Sequence, residues 1–145
     1  MCSLCSKTQE PSFHLFFECI YACNIWCWLS RTLHIPLHFQ SIEDIWYTSN
    51  IYSNHQSKLV VNVAIINIIN SIWFARNQFR FHNKKIHWKS SIASIAASVS
   101  LTGNNSKTYS LSMVDFILLK KFDINVHPPR AQKILEVFWH PPSDP

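Results

Sequence analysis

Between Lys58 and about His82 the apolar residues Val61, Ala64, Ile65, Ile68 and Ile72 fall at the spacing of one buried helical stripe. Asn62, Asn67, Asn70, Ser71 and Asn77 share the other half of the wheel. The pattern predicts an amphipathic core helix rather than a membrane span, which needs about 20 mostly apolar residues in a row. Asn83-Lys84-Lys85 interrupts it, and His87 to about Leu101 forms a second amphipathic segment with Ile92, Ile95, Ala96 and Val99 on one face. Upstream, no breaker stands between Pro11 and about Arg31, which predicts a continuous helix. Pro11 suits its first turn, where an N–H is not needed. His34 to Gln40, around Pro36, reads as a linker. Ser41-Ile-Glu-Asp44 resembles a capping box, with Asp44 in the usual place of Glu or Gln, and opens a short helix to about Tyr52. Thr102 to Thr108, with Gly103-Asn-Asn-Ser, reads as a loop, and Ser110 to Lys121 as another short helix. Pro128-Pro129, Pro141-Pro142 and Pro145 predict an extended end. The expected fold is mainly α, a small N-terminal knuckle leading into a helical bundle. Its divisions are 1–30 (knuckle and first helix), 31–125 (helical region) and 126–145 (Pro-containing tail).

Composition narrows the chemistry. At 145 residues and 48% apolar, the chain fits one domain with its own core and is not a disordered composition. Gly103 is its only glycine, which excludes a P-loop, a GxGxxG dinucleotide site and a GxSxG nucleophile elbow. Eight scattered acidic residues do not make a two-metal nuclease, so no catalytic residue is assigned and no enzyme is expected. The net charge is +5, and from Ile45 to Val114 there is no acidic residue at all. Such a one-signed stretch suits an anionic partner. A solvated basic surface accounts for it about equally well. No basic n-region precedes an apolar run, so no secretory signal is read, and the expected setting is intracellular with no membrane partner.

Five cysteines in that setting read as thiols or metal ligands rather than a disulfide framework. The strongest chemical signal is Cys2-x2-Cys5-x8-His14-x4-Cys19. A CxxC pair turns both thiolates toward one ion, and a His and a Cys complete a tetrahedral set for structural Zn2+. On an ideal helix, side chains five residues apart point about 140° apart. His14 must therefore sit in a fraying first turn, or the helix must start after it. Cys23 and Cys27 lie four and eight residues beyond Cys19. Cys23 is the better substitute ligand, although both read more simply as small buried apolar residues.

Cys2-Ser-Leu-Cys5, Glu10, His14-Leu-Phe-Phe-Glu-Cys19, Ala22 and Ile25-Trp26 together resemble the zinc-binding domain of plant LINE-type (non-LTR) retrotransposon reverse transcriptases. Ile72-Trp-Phe-Ala-Arg-Asn77 resembles the W-x-x-R-N helix that follows the zinc segment in these proteins. Phe138-Trp-His-Pro-Pro142 resembles the joint before their RNase H domain. The resemblance implies Cys2, Cys5, His14 and Cys19 as zinc ligands and a role in engaging an RNA or DNA template. It also implies contact with the polymerase or RNase H domains of a retroelement protein. The chain lacks polymerase carboxylates and is expected to be the middle of a truncated or decayed retroelement protein.

Phe74 to Lys89 combines Arg76, Arg80, Lys84, Lys85 and Lys89 with Phe74, Phe79, Phe81 and Trp88. On a continuing helix Arg76, Arg80 and Lys84 align as a ladder for phosphates. Trp88 or Phe81, if exposed, would stack on unpaired bases. Such binding to RNA or DNA would be weak and not sequence-specific. In the alternative, the four aromatics are core anchors and the cations complement the helix C-terminus. The rival to a binding module is a helical remnant with no independent activity, whose apolar faces once packed against neighbouring domains.

Overall fold

Asn54 opens the longest helix by accepting the Gln56 and Ser57 N–H groups, at 2.9 and 3.2 Å. A computed structural model describes residues 1–52, 54–109 and 113–127. In chain order its α-helices are α1 (Ile20–Leu33), α2 (Ile42–Tyr47), α3 (His55–His82), α4 (Trp88–Asn105) and α5 (Met113–Lys121). A π-helical turn, His14–Glu18, precedes α1, and a 3-10 turn, Thr48–Ile51, follows α2. The described residues contain no strand. Residues 110–112 of the expected last helix lie outside them, as does the tail from Pro128 with its Phe138–Pro142 motif.

α3 is the central element. Its β-branched residues each give up as much as about 0.7 kcal/mol of helix propensity relative to Ala. Full burial of such a side chain is worth about 1.5–3 kcal/mol, so packing decides the conformation. Val60, Val61, Ala64, Ile65, Ile68, Ile72 and Ala75 are all buried. By length and composition alone α3 could also cross a membrane. Its buried stripe instead packs against α4, and also meets α1 and α5. From α1 come Ala22, Ile25, Trp26 and Leu29, and from α4 Ile95 and Val99. A buried hydrogen bond of 2.7 Å between the Tyr21 hydroxyl and Ser91 Oγ ties α1 to α4. Cys2 and Leu15 belong to the same core, as do Phe122 and Ile124.

With one glycine in the chain, other residues must close the helices. His34, Asn83 and Asp123 take left-handed backbone, with φ of 56°, 51° and 55°, at the ends of α1, α3 and α5. After α3 the Lys84 N–H returns to the Gln78 carbonyl at 3.1 Å, which satisfies a carbonyl the helix leaves open. The capping box at Ser41 forms as its sequence implies. Asp44 Oδ2 accepts the Ser41 N–H at 2.9 Å, and Ser41 Oγ accepts the Asp44 N–H.

Three expectations require correction. The helix expected from Pro11 to Arg31 is broken at Cys19, whose ψ of 133° is extended. The short helix after Ser41 is α-helical only to Tyr47 and finishes as a 3-10 turn. The loop expected over Thr102–Thr108 starts late, because α4 continues through Gly103 to Asn105. Gly103 makes no turn. It leaves room for Ile124, since a Cβ there would collide with Cδ1 and stand 2.9 Å from Cγ1.

Candidate metal centre

The CxxC loop is closed by its own backbone. The Ser6 N–H donates to the Cys2 carbonyl at 2.8 Å, and the Cys2 N–H donates to the Thr8 carbonyl at 2.6 Å. Ser6 takes a φ of 57°, a left-handed position more often given to glycine. The second half of the cluster answers the 140° problem. The Cys19 N–H reaches back five residues to the His14 carbonyl, at 2.7 Å, so the turn is wider than an α-helical one. The chain then extends at Cys19, which becomes the N-cap of α1. Widening and break together turn His14 and Cys19 to the same side.

Cys2, Cys5, His14 and Cys19 thereby converge, with one ligand atom from each lying within 4.8 Å of every other. The sulfurs of Cys2 and Cys19 are 3.8 Å apart, and Cys5 Sγ is 3.4 Å from His14 Nε2. Zn–S bonds of about 2.3 Å and Zn–N bonds of about 2.0 Å at tetrahedral angles give S···S near 3.8 Å and S···N near 3.5 Å. The donor set and these spacings fit a metal ion such as Zn2+. Cys2, His14 and Cys19 are buried and Cys5 is half-buried, so four protein ligands would close the coordination sphere.

The electrostatics of the cluster also suit a cation. Burial pushes the Cys19 thiol up to about 12, against the Tyr21 backbone N–H, and neighbouring Cys2 and Cys5 add to the rise. Burial also works to raise Cys5. The Lys7 backbone N–H, His14 and the other two cysteines outweigh it and bring Cys5 down to about 6. Three thiolates this close repel one another, and a divalent ion reverses that balance by holding each ligand deprotonated.

Groups beyond the four candidate ligands support the cluster. Thr8 Oγ1 lies 3.0 Å from His14 Nε2 and 3.3 Å from Nδ1, and Glu18 Oε2 lies 3.5 Å from Nδ1. With Nε2 on a metal, Glu18 would accept the Nδ1–H and fix the tautomer, while the Thr8 hydroxyl, nearer Nε2, borders the metal side of the ring. Glu10 anchors the knuckle to the bundle. Its Oε2 accepts the Ser3 N–H at 2.7 Å, and its Oε1 meets Arg76 Nε of α3 at 2.8 Å. Burial alone would raise the Glu10 carboxyl, but Ser3 and Arg76 together hold it below its usual value. Neither Thr8 nor Glu18 was assigned a role from sequence. Glu18 was legible as the i+4 neighbour of His14, whereas nothing marked Thr8.

Cys23 and Cys27 stay out of the cluster. Cys23 donates its S–H to the Phe17 carbonyl at 3.1 Å and is half-buried. Cys27 is exposed, which corrects its reading as a buried apolar residue.

The basic segment differs from the expected ladder. Arg76 is paired with Glu10 and packed on the Trp73 ring, 5.0 Å from its centroid, and so is not a free phosphate contact. Lys84 follows the left-handed Asn83, so it does not continue the α3 face of Arg76 and Arg80. Arg80, Lys84, Lys85 and Lys89 are exposed, and Trp88 is half-buried beneath Lys89. Phe74 and Phe81 are 55% and 69% exposed, so they are not core anchors, while Phe79 is half-buried.

The chain matches no family model, no curated protein and no solved structure.

Proposed function

We propose that the chain is a non-catalytic zinc-binding module, similar to that of plant LINE-type reverse transcriptases, that holds its first helix in place with a structural ion and engages RNA or DNA through a basic end. The observation that carries this reading is the convergence of three thiols and one imidazole at tetrahedral spacing. Support also comes from the Glu10–Arg76 pair, which joins two segments recognised separately in the sequence, the knuckle and the W-x-x-R-N helix. Five free cysteines suit a reducing intracellular setting. Four exposed cations, Arg80, Lys84, Lys85 and Lys89, lie in the stretch without acidic residues and supply a phosphate-binding surface.

The test is elemental analysis of purified, chelator-washed protein. One zinc per chain is expected, retained in Cys27→Ser and lost in Cys5→Ser together with part of the helicity. A Cys5→Ser protein with full zinc content and unchanged helicity would show the ligand assignment to be wrong.

The remnant reading draws on Ile42, Trp46, Tyr47 and Ile51, large apolar side chains exposed on and just after α2. Such a surface suits contact with a neighbouring polymerase or RNase H domain. It predicts aggregation of the isolated chain and no retention on RNA at low salt.

A further inference from the structure

A half-open cleft, a slot of about 270 Å3, lies between α3 and α4, apart from the candidate metal centre. Ser71 and Phe74 line it from α3, Ile86 from the connecting loop, and Ser90, Ser91 and Ser94 from α4. Its character is mixed in an informative way, with one aromatic ring, one aliphatic side chain and four hydroxyls. Ser91 is committed to Tyr21. The hydroxyls of Ser71, Ser90 and Ser94 meet no hydrogen-bond partner among the described residues. A purely apolar ligand would leave them unsatisfied, and a simple ion would leave the Phe74 ring unused. A planar ring with polar edges satisfies both, and hydroxyls serve any base edge because each both donates and accepts.

The surroundings of the slot are basic. Lys84 stands two residues before Ile86, and Lys89 directly precedes Ser90. Both are exposed, and no carboxylate occurs between Ile45 and Val114. Phe81, seven residues beyond Phe74, falls about 20° from it around the helix and extends the aromatic edge. We propose that this slot takes an unpaired base of a single-stranded nucleic acid against Phe74, with the adjoining phosphates on Lys84 and Lys89. The proposal rests on the nucleic-acid reading above and gives it a site. It requires a single strand, because a paired base in a duplex shows no free face to a ring.

The experiment is fluorescence anisotropy of labelled oligo-uridine and oligo-thymidine strands with the full chain loaded with zinc, across a range of salt. Binding of either strand is expected, weakening as salt rises. Phe74→Ala should weaken it about tenfold, within the range of base–aromatic stacking. Lys84→Ala and Lys89→Ala should each reduce the salt slope by about 0.7. Phe74 is more than half exposed, so its truncation spares the core, and unchanged helicity and zinc content would check this. An abasic strand tests the wild-type protein without any substitution, and it should bind as weakly as Phe74→Ala binds the intact strand. Unchanged affinity in Phe74→Ala overturns the slot alone, as does an abasic or duplex ligand bound as tightly as the single strand. Failure of the wild type to bind any strand overturns the nucleic-acid reading together with the slot.

Discussion

The Glu10–Arg76 pair offers a test of how the knuckle is held. The two side chains are 12% and 13% exposed and meet at 2.8 Å, so solvent screens them little. At an effective dielectric of about 20 their gross attraction is near 6 kcal/mol. Desolvation cancels much of that, and hydrogen bonds to charged groups keep about 1.5–3 kcal/mol net. Glu10→Gln retains an oxygen for the Ser3 N–H but leaves Arg76 charged and unpaired. It should cost about 2–3 kcal/mol, or roughly 4–12 °C in Tm for a chain of this size. Arg76→Met should cost a similar amount, because it leaves Glu10 charged. The double variant removes both charges and should cost less than the two singles together, by at least about 1.5 kcal/mol. Urea denaturation of the zinc-saturated proteins measures all four corners. Singles that add to within about 0.5 kcal/mol would refute a coupled pair and reduce the contact to a surface ornament.

The same pair has a pH signature with a definite sign. Glu10 titrates lower in the folded chain than its ordinary value of 4.5. Its contribution is therefore complete above the unfolded pKa and disappears as pH falls through the lower, folded one. The stability gap between wild type and Glu10→Gln should stay constant above about pH 5 and close below the ordinary carboxylate range. Acid would also release a metal from the Cys/His cluster, but it would do so in both proteins, and the difference between them isolates Glu10. Glu10→Ala goes further, since it frees Ser3 inside the CxxC loop. It should weaken zinc retention against a chelator by about 10- to 100-fold, as loss of an outer support commonly does.

Two further outcomes follow from the backbone. Gly103→Ala should gain about 1 kcal/mol of helix propensity but lose about 1–3 kcal/mol by crowding Ile124, for a net loss visible in thermal melts. Adding Ile124→Val, which removes Cδ1, should cost less than the sum of the singles, and strict additivity would argue against the close approach. Asn83→Gly should stabilise by about 0.5–1 kcal/mol, because φ is 51° there and glycine meets no Cβ penalty. Asn83→Val should destabilise instead, and the opposite order of the two variants would contradict the left-handed cap.

What the sequence made legible was local. The stripe from Val61 to Ile72 and the box at Ser41 are patterns of neighbours, and both are present. The four metal-type residues were legible by spacing, and the 140° mismatch between His14 and Cys19 warned that a plain helix could not join them. The form of the answer, a five-residue hydrogen bond followed by one extended residue, left no mark in the apolar run His14-Leu-Phe-Phe-Glu-Cys19. Gly103 misled for the converse reason. Gly-Asn-Asn-Ser is a loop signal by composition, yet the demand for glycine comes from Ile124, 21 residues further on. Arg76 looked like a free cation because its partner Glu10 is 66 residues away.

That last correction limits what the basic segment can do. Counted from sequence, five cations between Phe74 and Lys89 are available to phosphates. Glu10 neutralises Arg76, and four remain. For a single strand each engaged cation contributes about 0.7 to the slope of log K against log salt, so this segment supplies a slope of at most about −3. Lys85 lies over Phe79 and Lys89 over Trp88, each 5.6 Å from the ring centroid, so full engagement would also draw these two cations away from their rings. In the proposed nucleic-acid complex the electrostatic share would therefore be small, and useful affinity would have to come from contacts that salt does not screen. The exposed Phe74 and Phe81 and the hydroxyls of the slot would supply them, whereas the exposed Trp73 ring already carries Arg76. A slope much steeper than −3 would bring in Lys58 or Lys107, the other cations of the stretch without carboxylates, and would move the nucleic-acid path away from the slot.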